Sequence, residues 1–516
     1  MATKIELLYI DLFCGAGGTS TGVNSARLNG EQCAEVIACV NHDANAIASH
    51  ASNHPEALHF TEDIRTLELS PLIAHLESCR KQNPGALVVL WASLECTNFS
   101  KAKGGMPRDA DSRTLAEHLF RYIEAIKPDY IQIENVEEFM SWGDVDENGK
   151  PVSMDKGKSY TRWVRNVKKY GYNFDFRILN AADYGAYTSR KRFFGIFAKQ
   201  GLPITFPEAT HSKEGSTSLF GSLEKWRPVR ECLDFDDEGD SIFGRKKPLV
   251  EATLERIYAG LIKFVAEGKE AFIVKYNSVN KRTGKHIPPS IDEPCPVVAT
   301  QNRLGLAKVQ FLSKQFSGDP MSKNVSVEAP AGAITCKDHH AFISVHYGNG
   351  SNRSCEQPAP TLTTKDKISL VTVKRFLLNP QYKSKGSSID KPCFTLIARM
   401  DKMPPYLVEA STQSNELPDF IVPTEEGYKY CIYDTDTPMM VKIKEFMALY
   451  CIVEITMRML KVPELKKIMG FPDDYVLVGT QAEQKKFIGN AVEVTIARRW
   501  CEALCRRLKE YIKQVA

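Results

Sequence analysis

The sequence predicts an α/β fold built on a parallel sheet and joined to a second, mainly β domain, and three observations carry that prediction. An apolar run from Ile5 to Phe13 leads straight into Cys14-Gly-Ala-Gly-Gly18 and then a helical stretch. A second apolar, β-branched run, Val88 to Ala92, ends abruptly in polar loop residues around Cys96. The middle of the chain repeats one pattern four times: an acid, then x-Pro, then an apolar strand.

With 516 residues the chain exceeds one ordinary core and accommodates two domains, and 43% hydrophobic with 25% charged residues marks a globular protein. The net charge of +4 is small, so affinity for nucleic acid must come from local clustering of Lys and Arg. The 14 cysteines are scattered, with no CxxC pair, and are expected as reduced thiols. Cys501 and Cys505 sit in a charged helical pattern without histidine partners, so no metal is expected. No run reaches membrane-spanning length and no leader is evident, which points to a cytoplasmic protein.

Taken in order, the strand, glycine turn and helix at Ile5 to Gly22 form a nucleotide-type cofactor site, since glycine lets backbone approach a ligand closely. Phe13, Gly15, Gly17 and Gly18 belong to it, although a tight strand-to-helix turn also wants glycine. Ala34 to Val40 reads as a second strand ending at Asn41-His42-Asp43, polar groups placed to hold a ribose, or in the case of Asp43 simply to cap a helix. Asp63-Ile64 follows a short loop and either binds an adenine edge or starts a turn. A helix over Ser112 to Lys127 leads to the strand Tyr130 to Ile133, which delivers Glu134 and Asn135 at its carboxyl end. The run Thr188 to Phe197 is a strand that puts Arg190 and Arg192 on one face, where two guanidiniums seek carboxylates or phosphates.

The middle region repeats as Ser290 to Thr300, Ser326 to Thr335, Cys355 to Thr363 and Ser388 to Leu396, each preceded by an aromatic segment with a Ser, Gly or Lys-rich turn. Four hairpin-like units are expected at about 272–408, each too small to fold alone. Their basic tips, including Arg353, Lys383 and Lys385, favour a surface that faces DNA. The predicted organisation is a cofactor-binding domain over 1–200, a recognition domain over 201–445, and a closing segment over 446–516 whose last helix, Val494 to Val515, returns to the first domain.

These residues together resemble the DNA (cytosine-5) methyltransferase family. The resemblance rests on Asp11-Leu-Phe-Cys-Gly-Ala-Gly-Gly18, Glu134-Asn-Val136, Arg190-x-Arg192, Arg458 to Glu464 running to Met469-Gly-Phe-Pro-Asp-Asp-Tyr475, and Ile488-Gly-Asn-Ala-Val492, in order and spacing. It covers residues 5 to 200 and 445 to 510, with the middle matching only as a variable recognition region. The departures are Glu95-Cys96-Thr97 where Pro-Cys-Gln is usual, which resembles a less common prokaryotic branch, Thr188 where glutamine is usual, and Asn41 where an acid is usual.

What the resemblance implies is a Rossmann-like S-adenosylmethionine-dependent methyltransferase domain acting on C5 of a flipped-out cytosine in double-stranded DNA. Cys96 would attack C6, Glu134 would protonate N3, Asn135 would hold the loop, and Arg190 would bind the pyrimidine carbonyl with Arg192 beside it. The cofactor would lie against Phe13, Gly15, Gly17, Gly18, Asn41, His42, Asp63, Ile64, Asn490 and Val492. Ser100, Lys101 and Lys103 belong to a basic Lys/Gly loop expected to close over the flipped base. A monomer is expected, with a cognate restriction endonuclease as a functional partner but not in complex. Two rivals share the pattern: a tRNA cytosine methyltransferase, which the large repeated middle region disfavours, and a catalytically silent DNA-binding relative, which would have no need to keep Cys96, Glu134 and Arg190 together.

Overall fold

The computed structural model describes residues 5–94, 116–143, 152–153, 156–218, 221–234, 236–237, 240–261, 269–275, 304–309, 341–345, 353–354, 368–372, 374–378, 387–394, 396, 405–411, 417–424, 427–450 and 452–515. The chain divides into two units, Met1–Asp234 with Ile389–Pro404 and Leu460–Ala516, and Phe235–Ser388 with Pro405–Met459.

The first unit is built on a seven-stranded sheet. Its strands are β1 (Leu7–Leu12), β2 (Ala34–Asn41), β3 (Leu58–Thr61), β4 (Leu87–Ser93), β5 (Tyr130–Asn135), β6 (Tyr172–Asn180) and β7 (Lys191–Lys199), in spatial order β3-β2-β1-β4-β5-β7-β6. The pairs from β3 to β5 are parallel, while β7 runs antiparallel to both β5 and β6. Every residue of β1 and β5 is buried because helices cover both faces, which is why these strands read as continuous apolar runs and not as alternating ones. Leu8, Ile10 and Leu12 join one apolar cluster, on the face that receives Phe139, Trp163 and Phe197. Leu7 and Tyr9 join another, on the face covered by the helices α1 (Gly18–Asn24) and α7 (Val494–Val515). The order reverses between β1 and β4, the switch point beyond whose strand ends open α/β sheets bind ligands. This is the Rossmann-like α/β architecture expected for the first domain.

The helices α2 (Ala44–Asn53), α3 (Ser70–Gln82), α4 (Leu119–Ile126), α5 (Lys158–Lys168) and α6 (Gln481–Asn490) also belong to the unit, as does a short helix at Val462–Ile468. The final helix spans Val494–Val515, and its buried stripe of Ile496, Ala497, Trp500, Cys501, Leu504, Cys505 and Leu508 lies in the cluster with Tyr9 and Trp91. Gly22 of α1 is required by that packing, since a Cβ there would lie 2.6 Å from the Ala497 Cβ and 2.7 Å from the Val494 carbonyl oxygen.

The second unit centres on a five-stranded antiparallel sheet, in the order Asp240–Ser241, Glu454–Met459, Tyr406–Ser411, Lys374–Leu378 and Ser387–Ser388. Leu378, Val408, Ala410, Ile455 and Met457 pack with Ile257, Ile443, Phe446 and Met447 from two helices, Glu251–Gly260 and Pro438–Tyr450. Three further sheets pair Lys269–Lys275 with Leu304–Val309, Ala341–Val345 with both Arg353–Ser354 and Ile368–Thr372, and Ile421–Thr424 with Gly427–Tyr430.

Several boundaries differ from the sequence expectation. Residues 201–234 belong with the first unit, because Leu202, Ile204 and Phe206 pack on its core and the Trp500 indole donates to the Thr205 carbonyl at 2.9 Å. Residues 446–459 belong with the second, where Phe446 and Met447 are core and Glu454–Met459 is a sheet strand. The helix expected from Ser112 is described only as Leu119–Ile126, and it stops where Lys127 turns left-handed at φ 50°. Of the four repeats, the segments Ser290 to Thr300, Ser326 to Thr335 and Cys355 to Thr363 lie outside the described residues. The fourth departs from the pattern: its tail from Ile389 sits in the first unit and forms a single bridge, Cys393 to Thr188, in place of a strand. Arg353, expected on a loop tip, is in a strand, because it pairs with Ile343.

Candidate active site

A cavity of about 510 Å³ opens at the carboxyl ends of β1, β2, β4 and β5. Phe13, Cys14, Gly15 and Thr19 line it from the turn after β1, and Asn490, Ala491 and Val492 from the turn between α6 and α7. The chain turns sharply after β1, with Phe13, Gly15 and Gly17 all at positive φ. At Gly17, φ is 99° and an added Cβ would clash with the Tyr475 hydroxyl, which donates to the Ala16 carbonyl. At Gly18 a Cβ would clash with the Val492 carbonyl, so the two ends of the chain can meet here only over a bare backbone. Gly17 and Gly18 thus shape the cradle from behind, while Gly15 lines it.

Beneath the turn runs a buried polar chain. Ser20 donates to the Asp11 carboxylate at 2.9 Å, and the His50 ring sits 2.9 Å from the Ser20 hydroxyl and 2.9 Å from the His59 ring. Burial pushes the Asp11 carboxyl well above its usual range, against the hydrogen bond from Ser20. This network fixes the floor of the cradle to α2.

Asn41, His42 and Asp43 line the cavity after β2. The Asn41 side chain accepts from the Asp43 amide at 2.9 Å, and Asp43 in turn accepts from the amides of Asn45 and Ala46 as the N-cap of α2. Its second oxygen pairs with Lys486 at 3.2 Å. Asp63 and Ile64 also line the cavity, and Asp63 does start a turn: its carbonyl accepts from Thr66 and Leu67, and its carboxylate grips Arg65, which holds it below the usual carboxylate range. Asp43 thus caps a helix and Asp63 starts a turn, and both also border the cavity.

Glu134 and Asn135 are the last two residues of β5 and both are buried. The Glu134 carboxylate lies 3.3 Å from the Arg192 Nε. Burial raises the Glu134 pKa, while Arg192 and then Arg190 pull it down, and burial prevails. Asn135 donates to the Leu94 carbonyl at 3.3 Å and accepts from the Val136 amide at 2.8 Å, which ties the end of β5 to the end of β4.

The two arginines differ in a way the sequence does not reveal. Arg190 precedes β7 instead of lying within it, because residues 187–189 are drawn into hydrogen bonds with Cys393. Its guanidinium donates to the carbonyls of Leu396 at 3.1 Å and Gly489 at 3.2 Å, so it ties three chain segments together. Arg192, the second residue of β7, is the one paired with Glu134. Both line the cavity.

Cys96, with Glu95 and Thr97, and Ser100, Lys101, Lys103, Lys383 and Lys385 lie outside the described residues. Ser93 and Leu94, the residues leading to Cys96, line the cavity. Sequence reasoning missed those two, as well as Glu62, Arg65, Lys486 and Phe487. The last pair immediately precedes Ile488-Gly-Asn-Ala-Val492, and the available signal was its adjacency to that stretch.

A family model for C-5 cytosine-specific DNA methylase matches residues 7–230 and 359–506, well over half of the chain. Among curated proteins, the chain is 30% identical over 203 residues to the type II methyltransferase M.AgeI of Thalassovita gelatinovora, covering 39% of this chain and 42% of that protein. It is 28% identical over 211 residues to M1.HphI of Haemophilus parahaemolyticus, covering 40% and 50%, and 26% identical over 262 residues to M.SacI of Streptomyces achromogenes, covering 46% and 61%. The chain thus spans about half the length of the curated relatives it matches.

Proposed function

The chain belongs to the C-5 cytosine-specific DNA methylase family, and from that premise we propose that it is a sequence-specific DNA (cytosine-5) methyltransferase that uses S-adenosylmethionine. The observation that carries this reading is one cavity that joins a buried carboxyl, Glu134 against Arg192, to a glycine cradle made by both ends of the chain.

The donor set fits an adenosyl amino acid. Phe13 and Ile64 offer apolar walls, Asn41 and Asp63 offer acceptors for hydroxyl and amino groups, and the backbone at Gly15 and Val492 leaves room for close approach. When bound there, S-adenosylmethionine supplies an electrophilic methyl group to C5 of the base.

The chain's own residues do the rest. Cytosine C5 is a poor nucleophile until a group adds at C6, and the Cys96 thiolate is the residue assigned to that addition. Addition pushes electron density toward N3, where Glu134, whose pKa burial raises, is assigned to donate a proton. Arg192 orients that carboxyl and faces the pyrimidine carbonyl side, while Arg190 positions the β7 end through its two carbonyl contacts. Loss of the C5 proton and expulsion of the thiolate then restore the ring. Because C6 is hidden in a stacked duplex, the base must be flipped out, and the basic segment Ser100 to Gly105 is assigned to closing over it.

Duplex DNA carrying 5-fluorocytosine tests the proposal, since fluorine at C5 cannot leave as a proton does. The wild type should form a covalent adduct, and Cys96→Ala should form none while still binding cofactor. An adduct that persists in Cys96→Ala removes the nucleophile assignment, and trapping on tRNA in preference to duplex DNA moves the substrate class.

A further inference from the structure

On the sheet face covered by α1 and α7, three thiols converge, Cys33 lying far in sequence from the other two. Cys501 and Cys505 are one turn apart on α7, both buried on its inward stripe. Cys33, immediately before β2, meets them, and the three sulfurs lie within 4.8 Å of one another. The Cys505 thiol also donates to the Cys33 carbonyl at 3.6 Å.

Two features set this cluster apart from cysteines that merely fill a core. First, the Tyr9 hydroxyl on β1 is fully buried and has no nitrogen or oxygen partner; the groups that act on it are the thiols of Cys501, Cys505 and Cys33. A buried hydroxyl left without a partner is costly, and an anionic sulfur beside it would satisfy it. Second, cationic side chains, Lys509 and Arg27, stand near Cys33. Cys33 also lines a cavity of about 300 Å³ together with Glu6, Gln32 and Lys509, which gives an ion a path inward.

We propose that Cys33, Cys501 and Cys505 form a binding site for a thiophilic d10 divalent cation, zinc being the biological candidate, that clips the C-terminal helix to the segment entering β2. With metal–sulfur bonds of about 2.3 Å, sulfurs around one ion stand about 4 Å apart, which the observed spread accommodates. Each thiol that becomes a ligand gives up its proton, so three metal–sulfur bonds form and up to three protons are released. The resulting net negative charge is met by Lys509 and Arg27.

The test uses the full-length reduced protein, stripped with a chelator and titrated with cadmium alone. A thiolate-to-cadmium charge-transfer absorbance saturating at one ion per chain, with proton release in weak buffer, is the expected result. Outer partners of a metal site are worth 10- to 100-fold in affinity, so loss of a direct ligand in Cys33→Ser should weaken binding by about 100-fold or more, whereas Cys431→Ser, outside the cluster, should leave it. Because loss of a buried thiol can compromise folding, thiols in the wild type are also mapped by alkylation in mild denaturant, where added zinc should slow Cys33, Cys501 and Cys505 as a set. Absence of the cadmium signal, equal binding by a folded Cys33→Ser, or zinc protection that falls on other cysteines would each overturn the site.

Discussion

Replacing Glu134 by Gln keeps the shape and hydrogen-bonding capacity of the side chain but removes a transferable proton. In the structure the carboxylate stands 3.3 Å from the Arg192 Nε, and at an effective dielectric of about 20 that pair is worth roughly 5 kcal/mol of Coulomb attraction. The pKa is nevertheless raised, so the cost of burial exceeds the attraction of both arginines and the site favours the neutral acid. A general acid of this kind contributes about 100- to 10,000-fold, or roughly 3 to 5 kcal/mol at 1.36 kcal/mol per tenfold. Glu134→Gln should therefore slow single-turnover methyl transfer at saturating DNA and cofactor by about 100-fold or more, with DNA affinity changed little. The pH profile carries the sign. As pH rises through the raised Glu134 pKa the protonated fraction falls, so the wild-type rate should fall with it, and the residual rate of the variant should lack that limb. An unchanged rate, or the same limb in Glu134→Gln, would refute the assignment.

Two further outcomes follow from the same structure and a third from the basic residues of the repeats in the sequence. Glu493 is fully buried and pushed up to about 7, by burial first and against hydrogen bonds from Ile496 and Thr495. Its stabilising contribution is present in full below the unfolded carboxylate range and is lost as pH rises through about 7, a difference on the order of 3 kcal/mol. Glu493→Gln should flatten that part of a melting-temperature profile, and parallel profiles for the two proteins would count against it. Gly22→Ala forces a methyl against Ala497 and the backbone of α7, so denaturant unfolding should show a loss of about 1–3 kcal/mol, and a change near zero would mean the helices slide freely. Lys383→Ala and Lys385→Ala should each lower the salt slope of DNA binding by about one unit for all sequences, whereas Arg353→Ala should relax preference at one position by about 1–3 kcal/mol. A methylation profile on a random library at two salt concentrations separates these classes. A deletion meant to remove the reading surface must stop short of Ile389, because the following segment belongs to the first unit and holds Arg190.

What the sequence by itself determined is the set of local devices whose physics is short-ranged. The β1 strand, its glycine turn and α1 are legible because an apolar run must end where glycines take positive φ, and Glu134 with Asn135 is legible because the strand ahead of it is uniformly apolar. The returning helix is likewise visible, since its buried stripe repeats at helical spacing. Tertiary structure alone decided which residues separated by hundreds of positions come together. Arg190 and Arg192 look equivalent in a strand pattern, yet Arg192 makes the 3.3 Å ion pair with Glu134, while Arg190 donates to the carbonyls of Leu396 and Gly489. The fourth repeat matches the other three in letters, but hydrogen bonds between Cys393 and residues 187–189 take its tail out of that series. Cys501 and Cys505 have no third ligand in the surrounding sequence, and the fold supplies Cys33 because α7 returns across the sheet next to the start of β2. Periodicity encodes which face of an element is buried; it carries no record of what that face will meet.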